Sequence, residues 1–137
     1  DTIVGLSGND TLFGWENDDT ISGGDGNDVI NGGEGEDTIS GGGGADTLFG
    51  GSGADRFVFG TIEQGDRIGD FESVDTIDLR PTGIDFTWIA DAAFSGVAGE
   101  LRFANGRLEG DVIGDGLPDL SIVIFGDPIA EANLMLI

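Results

Sequence analysis

The chain lacks cysteine, histidine, lysine and tyrosine, and its only basic residues are five arginines. Without cysteine there is no disulfide framework, so a secreted protein would need another means of stabilisation. Zinc and copper prefer histidine or cysteine ligands, which are absent. The seven serines have no imidazole to activate them, and there is no HExxH motif. We therefore predict that this chain carries no catalytic site and is the non-catalytic part of a larger protein.

Positive charge is scarce throughout the chain. There are 27 acidic and 5 basic residues, for a net charge of −22, and residues 1–55 contain no basic residue. Without a basic stripe, nucleic acid is not expected as a partner, and neither is an anionic membrane surface. No run of about 20 apolar residues predicts a transmembrane helix. No basic segment followed by an apolar one predicts a Sec-type signal.

A nine-residue unit is repeated without a gap from Gly5 to Val58. The six copies are GLSGNDTLF, GWENDDTIS, GGDGNDVIN, GGEGEDTIS, GGGGADTLF and GGSGADRFV, and the opening DTIV matches the end of a seventh. Because the first residue is not Met and lies inside a repeat, we expect a fragment of a longer chain. The unit reads Gly-Gly-x-Gly-x-Asp-x-apolar-x, which resembles the RTX nonapeptide of calcium-binding parallel β-helices.

Nine residues provide one short strand and one glycine-rich turn. The eighth place is always apolar and predicts the core: Ile3, Leu12, Ile21, Ile30, Ile39, Leu48 and Phe57. One unit cannot enclose a core, so we predict that two units form one coil of a flattened parallel roll. Turns on the same edge then recur every eighteen residues. This spacing places the sixth-place aspartates in two columns, Asp10, Asp28 and Asp46 in one, and Asp1, Asp19, Asp37 and Asp55 in the other.

The stacked carboxylates predict a bound cation. At a strand spacing of roughly 4.8 Å, aspartates in one column would repel each other without one. Calcium takes six to eight oxygens at about 2.3–2.6 Å and accepts carboxylates and backbone carbonyls together, whereas magnesium fits such a flexible cage poorly. The alternative is that these aspartates are ordinary turn residues on a solvated edge. Six copies in register favour calcium.

Pairing each turn with the turn eighteen residues later predicts four complete sites. They join residues 5–10 with 23–28, 14–19 with 32–37, 23–28 with 41–46, and 32–37 with 50–55. A fifth site, between Asp1 and Asp19, lacks the turn that precedes Asp1. The predicted ligands are Gly5, Ser7, Asp10, Asp19, Gly23, Asp25, Asp28, Gly32, Glu34, Asp37, Gly41, Gly43, Asp46, Gly50, Ser52 and Asp55.

The unit GWENDD departs most from the consensus, with Trp15 and Asn17 in place of two glycines. Asparagine tolerates the left-handed conformation, so Asn17 is an acceptable substitute. Trp15 predicts a looser or locally capped turn.

The repeat region is dense in glycine and acids and poor in bulky apolar side chains. Ordering glycine is entropically costly, and like charges oppose compaction. We therefore predict that this region is disordered without calcium and β-rich with it.

Composition changes after Val58, which predicts two parts: a roll at 1–58 and a capping β region at 59–137. Alternating runs predict strands at 56–59, 76–79, 100–103 and 120–125. The large aromatic residues of this part are expected in the core: Phe57, Phe59, Phe71, Phe86, Trp88, Phe94, Phe103 and Phe125. A repeat stack needs its open end covered, and this segment is placed to cover it.

Several segments of the second part resemble the C-terminal region of serralysin-type secreted proteases, which related RTX lipases and epimerases share. They are GDRIGDFESVDTIDL, FSGVAGELRF, GDVIGDGLPDLSIVIFG and EANLMLI. The resemblance implies an all-β fold: a right-handed parallel β-roll followed by a β-sandwich-like cap, with about four to five or more calcium ions. It also implies late calcium ligands among Asp66, Asp70, Asp75 and Asp78, of which we favour Asp70 and Asp75. Solvent-facing strand and turn acids are the alternative.

Asp111, Asp115 and Asp119 occupy the first, fifth and ninth places of a run that looks like an EF-hand calcium loop. Ile113 stands where such loops prefer Asn or Asp, and Ile122 replaces the usual bidentate Glu. The simpler interpretation is a β-turn with surface acids.

The last residues resemble the uncleaved C-terminal signal of proteins exported by type I secretion. Such signals have an acidic residue followed by a few apolar ones, and here Glu131 precedes Leu134, Met135, Leu136 and Ile137. Asn133 stands where the family more often has Asp. A last strand packed on the cap is an alternative that is compatible with export.

Two functions remain. The first is a calcium-triggered folding and type I secretion module, whose partners are calcium, the secretion apparatus and an upstream catalytic or adhesive domain in the same chain. This predicts an extracellular protein of a Gram-negative bacterium. The second is a polysaccharide-binding module of a secreted carbohydrate-active enzyme or adhesin. An anionic polymer would need cationic contacts, and five arginines make this second function less favoured.

Overall fold

The computed structural model of this protein describes residues 1–62 and 64–136. Each nonapeptide forms one strand. The strands of the repeat region are β1 (Thr2–Ser7), β2 (Thr11–Glu16), β3 (Thr20–Asp25), β4 (Val29–Glu34), β5 (Thr38–Gly43), β6 (Thr47–Ser52) and β7 (Arg56–Val58). The strands begin at the seventh place of the unit and include the first glycines of the next unit.

Two sheets face each other across the roll. Odd-numbered strands pair in parallel in one sheet and even-numbered strands in the other, with registers such as Ile3 opposite Ile21 and Leu12 opposite Ile30. These partners are eighteen residues apart, so the predicted coil of two units is confirmed. The eighth-place side chains of Ile21, Ile30, Ile39, Leu48 and Phe57 are 0–1% exposed and form the core between the sheets. Ile3 and Leu12, in the first coil, are partly buried.

Both sheets continue beyond residue 58. Strand β8 (Gln64–Phe71) pairs with β6, and β9 (Thr76–Asp78) pairs with β7. Ile68 lies opposite Leu48 and Ile77 opposite Phe57, so these partners are twenty residues apart instead of eighteen. Two extra residues therefore enter once, between Phe57 and Ile68, without interrupting the core, and Ile77 again follows Ile68 by nine residues. The division of the chain at residue 58 stays a prediction.

The remaining strands extend the same two sheets. They are β10 (Thr87–Trp88), β11 (Glu100–Ala104), β12 (Arg107–Asp111), β13 (Leu120–Gly126) and β14 (Leu134–Met135). The order in one sheet is β1-β3-β5-β7-β9-β14 and in the other β10-β11-β12-β13-β8-β6-β4-β2. Three-residue 3₁₀ helices lie at Arg80–Thr82 and Glu131–Asn133. In the described ranges, no helix is both long and apolar enough to span a bilayer.

The strands predicted after the repeats are confirmed as β7, β9, β11 and β13 within one or two residues. Four of the predicted core aromatics, Phe57, Phe59, Phe71 and Phe86, are buried. The prediction for Phe125 is wrong, because its side chain is 50% exposed. Strand β13 buries Ile122 and Ile124, and alternation therefore directs Phe125 to the outer face of the sheet.

Candidate metal centre

The sixth-place aspartates lie inside the turns, where the two sheets meet. Asp28, Asp37, Asp46 and Asp55 are each 1% exposed. One oxygen of each carboxylate accepts a hydrogen bond from the backbone N–H of the aspartate one coil earlier. The Oδ1 atom of Asp28 accepts from Asp10 N at 2.8 Å, and the Oδ1 atom of Asp37 accepts from Asp19 N at 2.8 Å. This ladder confirms the two columns and fixes the orientation of the Asp28, Asp37, Asp46 and Asp55 carboxylates.

The second carboxylate oxygen of these residues has no such partner. The Oδ2 atoms of Asp10, Asp19, Asp28, Asp37 and Asp55 are buried and accept no hydrogen bond. Leaving a buried polar atom unpaired costs about 1–3 kcal/mol, and more for a charged one. Five such oxygens in equivalent positions indicate that a cation completes the turn.

Beside the first glycine of the unit, a backbone carbonyl oxygen adjoins the free Oδ2 atoms of Asp10, Asp19, Asp28 and Asp37. A Cβ atom built on Gly5 would lie 2.5 Å from both Asp10 Oδ2 and Gly23 O. A Cβ on Gly23 or Gly32 would collide with its own aspartate and lie 2.6 or 2.7 Å from the carbonyl oxygen one coil later. The absence of a side chain is therefore required here. Carboxylate and carbonyl oxygens converge in a combination that suits calcium.

The predicted ligands at the third place of the unit carry no buried side-chain oxygen without a hydrogen-bond partner, unlike the column aspartates. They are Ser7, Asp25, Glu34, Gly43 and Ser52. The carbonyl oxygens of Asp25 and Gly43 accept hydrogen bonds at 2.8 Å from Gly8 N and Gly26 N. The side chains of Asp25 and Glu34 are exposed. Within residues 1–62 and 64–136, no three acidic side chains form a cluster that could hold a metal. Any site in these turns therefore depends on backbone carbonyls, and the role of the third-place residues stays a prediction.

Both aspartate columns extend past the repeats. Asp66 Oδ1 accepts from Asp46 N at 2.9 Å, and Asp75 Oδ1 accepts from Asp55 N at 3.0 Å. Asp75 therefore continues the column of Asp55, as a late ligand would. Asp66 continues the other column, although the sequence prediction preferred Asp70. The signal was present, since Asp66-Arg67-Ile68 repeats the Asp-x-apolar pattern of the units.

Asp70 and Asp78 occupy different environments. The two carboxylate oxygens of Asp70 accept hydrogen bonds from Gly50 N and Gly51 N at 2.9 and 3.0 Å, so Asp70 closes the turn that starts at Gly50. Asp78 is 1% exposed and forms ion pairs with Arg56 and Arg80. Hydrogen bonds from Arg80, together with Arg56, hold the pKa of Asp78 well below its usual range. The two arginines therefore balance the negative charge of Asp78, and the pair with Arg56 links β9 to β7.

The acids of the 111–119 loop hydrogen-bond to the loop's own backbone. Asp111 is fully buried and accepts from the N–H groups of Gly114 and Gly116 at 2.7 and 2.8 Å. Asp119 Oδ2 accepts from Val112 N, and Asp115 Oδ1 accepts from Leu117 N. These contacts describe a tight loop held by its aspartates. Calcium binding there stays a prediction.

Burial changes the titration of the column aspartates. Loss of water contact raises the pKa of Asp37 and Asp75, and it raises the pKa of Asp55 to about 6. Neighbouring carboxylates of the column act in the same direction, while the hydrogen bond to the backbone opposes it. The metal-free turn therefore holds carboxylates whose charged form is unfavourable, and a cation reverses that balance.

Comparisons with known proteins agree with this geometry. Residues 1–30 and 22–57 match the family model of the RTX calcium-binding nonapeptide repeat. The chain is also similar to two subunits of the mannuronan C5-epimerase of Azotobacter vinelandii, AlgE6R3 and AlgE6R2, each 29% identical. The first match covers 96% of this chain and 80% of that one with a TM-score of 0.73, and the second covers 98% and 91% with 0.72. No curated protein sequence matches the chain.

The buried oxygen sets recur at the positions that the family model recognises. The repeats bind calcium, and such repeats are typical of β-roll modules in larger extracellular proteins. Neither the family model nor the two similar structures tests the resemblance of the later segments to serralysin-type proteases. Residues 1–57 therefore carry RTX calcium-binding nonapeptide repeats, and the chain folds as a parallel β-roll.

Proposed function

We propose that this chain is a calcium-triggered folding and export module of a larger extracellular protein. The observation that carries the proposal is the set of five buried, unpartnered Oδ2 atoms, four of which lie next to a backbone carbonyl oxygen. Calcium at each pair of stacked turns would occupy four complete sites in the repeats, and Asp66 and Asp75 could supply more. The sequence likeness after Val58 favours a serralysin-like metalloprotease as the parent protein.

The charge of the roll makes its folding dependent on the ion. Twelve acids and no basic residue lie in residues 1–55. In the absence of calcium, burial of the column aspartates opposes folding through desolvation and mutual repulsion. Calcium binds only the folded turns, so each ion stabilises the folded state by mass action. Extracellular modules bind calcium at about 10⁻⁴–10⁻³ M, far above cytosolic levels. The chain would thus stay unfolded before export and fold after it.

The position of the C-terminal segment supports the export part of the proposal. Leu134 and Met135 form β14 beside β9, and Asn133 is 9% exposed. The Asn133 side chain donates hydrogen bonds to the carbonyl oxygens of Ser73 and Asp75 at 3.1 and 3.0 Å. Within an export signal at residues 131–137, Asn133, Leu134 and Met135 would therefore be accessible in the unfolded chain and held against the fold once it has formed.

Circular dichroism tests the folding part. We expect a disordered spectrum in chelator and a β-rich one in millimolar calcium. Replacing Asp28 and Asp37 by Asn should raise the calcium concentration needed for folding. The matched control is Asp91→Asn, an exposed acid outside the roll, which should leave it unchanged. A spectrum that is the same with and without calcium would refute the proposal.

A secretion assay tests the export part separately. The full-length parent protein, or this module fused to a reporter, is expressed with a type I secretion apparatus. Deleting residues 131–137 should abolish export, whereas Asp91→Asn should not affect it. Normal export of the deletion variant would reject the secretion role while leaving calcium-dependent folding intact.

One surface favours a second function, binding of an anionic polysaccharide. Arg67 and Arg107 both lie opposite Val123 in the sheet, on its outer face, so their backbones are two strand spacings, or about 10 Å, apart. Arg67 stacks on the Phe125 ring at 5.5 Å, and Arg107 donates to Ser121 Oγ at 3.0 Å. Neither arginine forms a salt bridge with a carboxylate of the described residues. The similar epimerase subunits belong to an enzyme named for a polysaccharide substrate.

A pulldown on immobilised alginate, with and without calcium, tests this second function. Retention that requires calcium and is lost in the double variant Arg67→Ala, Arg107→Ala would support it. Arg102→Ala is the matched control, because Glu109 already neutralises Arg102 at 2.8 Å. No retention of the native protein in calcium would reject this function and leave the export proposal unaffected.

A further inference from the structure

The second place of the repeat unit separates the first turn of each column from all later turns. In the later turns this place is occupied by Gly24, Gly33, Gly42 and Gly51, with φ between 96° and 113°. In the first turn of each column it is occupied by Leu6 and Trp15, with φ of 82° and 80°. Both side chains are 73% exposed. The glycine pattern therefore breaks in both columns at the same coil.

Stacking explains why the later turns require glycine. A Cβ atom on Gly24 would lie 2.6 Å from the carbonyl carbon of Leu6, and one on Gly33 would lie 2.8 Å from that of Trp15. For Gly42 and Gly51, the same distance to the preceding turn is 2.9 Å. Real Cβ atoms essentially never come within 3.0 Å of another heavy atom in this way. Each second-place residue is thus pressed against the backbone of the turn before it, and that contact excludes any side chain.

The fourth place of the unit repeats the pattern in one column. A Cβ on Gly35 would lie 2.6 Å from the backbone of Asn17, and one on Gly53 would lie 2.7 Å from the carbonyl carbon of Gly35. Asn17 itself, in the first turn of that column, has a φ of 74°, compared with 142° and 136° for those glycines. A residue with a side chain is tolerated at this place only where no turn precedes it.

We propose that Leu6 and Trp15 form a steric stop that ends the calcium roll on its N-terminal side. A further repeat turn stacked in register on either column would place its second-place carbonyl group within the volume of the Leu6 or Trp15 Cβ. The stop acts equally on upstream residues of the same chain and on a second copy. It leaves the edges of β1 and β2 closed to in-register addition, which protects a sheet edge from uncontrolled pairing.

The stop also determines the fate of the fifth predicted site. The turn ending at Asp1 would have to stack on the turn that contains Trp15. Asp1 itself reaches the column, because its carbonyl oxygen accepts a hydrogen bond from Thr20 N at 2.9 Å. The carbonyl group of the residue at the second place of that turn would clash with the Cβ atom of Trp15. The upstream chain therefore leaves the roll before Asp1, and the site between Asp1 and Asp19 does not form.

An extended protein tests the stop. The fourteen residues GGGGADTLFGGGGA are placed ahead of Asp1, so that Asp1 completes the second of two added turns in register. Bound calcium is counted by equilibrium dialysis, and hydrogen exchange follows the added residues. The native sequence should bind no additional ions, and its extension should exchange at the rate of an unfolded peptide. The extended double variant Leu6→Gly, Trp15→Gly should gain two ions and a protected extension.

Val4→Gly with Phe13→Gly is the matched control. These residues lie on the same two strands with exposed apolar side chains, but not at the second place of the unit. The extended control should behave like the extended native protein. Extra ions and protection in the extended native protein would overturn the proposal. So would an unprotected extension in the Leu6→Gly, Trp15→Gly variant whose own repeats still bind their usual calcium.

Discussion

Replacing Asp37 by Asn should remove one calcium ion and a definable part of the stability. Asp37 is 1% exposed and lies in the middle of its column, between Asp19 and Asp55. The amide oxygen of Asn can still accept the hydrogen bond from Asp19 N. What is lost is the negatively charged Oδ2 beside Gly32 and the carbonyl group of Gly50. The substitution therefore changes the ion site while it retains the hydrogen bond that supports the stack.

The size of the effect follows from mass action. With a dissociation constant of about 10⁻⁴–10⁻³ M, one ion at about 10 mM calcium stabilises the folded state by about 1.5–3 kcal/mol. We expect the free energy of unfolding of Asp37→Asn to fall by this amount at about 10 mM calcium. The loss should shrink as calcium is lowered towards the dissociation constant, because less of it comes from binding.

Urea unfolding followed by circular dichroism, at several calcium concentrations, measures both quantities. Equilibrium dialysis should show one ion fewer than in the native protein, and Asp91→Asn should match the native protein in both assays. A stability loss that does not depend on calcium would refute the reasoning, because Asp37 would then act only as a hydrogen-bond acceptor. An unchanged ion count would refute it as well.

Three other results are expected. In chelator, the β signal should increase as the pH falls from neutral through about 6. The pKa of Asp55 is raised to about 6 in the folded chain, so its ionised form opposes folding above that pH. Asp55→Asn should weaken this pH dependence in a circular dichroism titration. Asp78→Ala should lower the free energy of unfolding in calcium by about 2–4 kcal/mol, somewhat less than the loss of a fully buried ion pair, because both arginines are partly exposed. Because the pKa of Asp78 is lowered in the folded chain, its contribution to stability should be present above about pH 4 and decline below it. Urea titrations at several pH values measure both effects. Asn133→Asp should cost about 1–3 kcal/mol by the same measurement, since a carboxylate cannot donate to Ser73 O and Asp75 O, whereas Ala132→Ser nearby should be neutral.

The repeat region could be predicted from its sequence because every unit satisfies the same local constraints. An apolar residue at the eighth place and a glycine at the first place leave few ways to arrange a nine-residue strand and turn. Ile39 and Asp37 therefore lie where the period places them. The pairing of turns eighteen residues apart followed from the same period, without knowledge of the later chain.

The later positions were harder to predict because the spacing changes from eighteen to twenty residues. This shift concealed the equivalence of Asp66 with Asp46 and led to the preference for Asp70. Strand β12 was missed because Arg107–Asp111 contains little apolar alternation and is specified by its antiparallel neighbours. The ion pairs of Asp78 depend on Arg56, twenty-two residues earlier in the chain, a contact that no local pattern encodes.

The position of the final strand has a consequence for biosynthesis. Strand β14 completes a sheet next to β9, and Asn133 fastens it to the loop that carries Asp75. Because β14 follows every other described strand in the sequence, a chain that emerges from the ribosome exposes the roll before it exposes this strand. The roll can therefore form its stacked turns while the edge of β9 is still unpaired. Formation of the roll and docking of β14 are thus separate events in time.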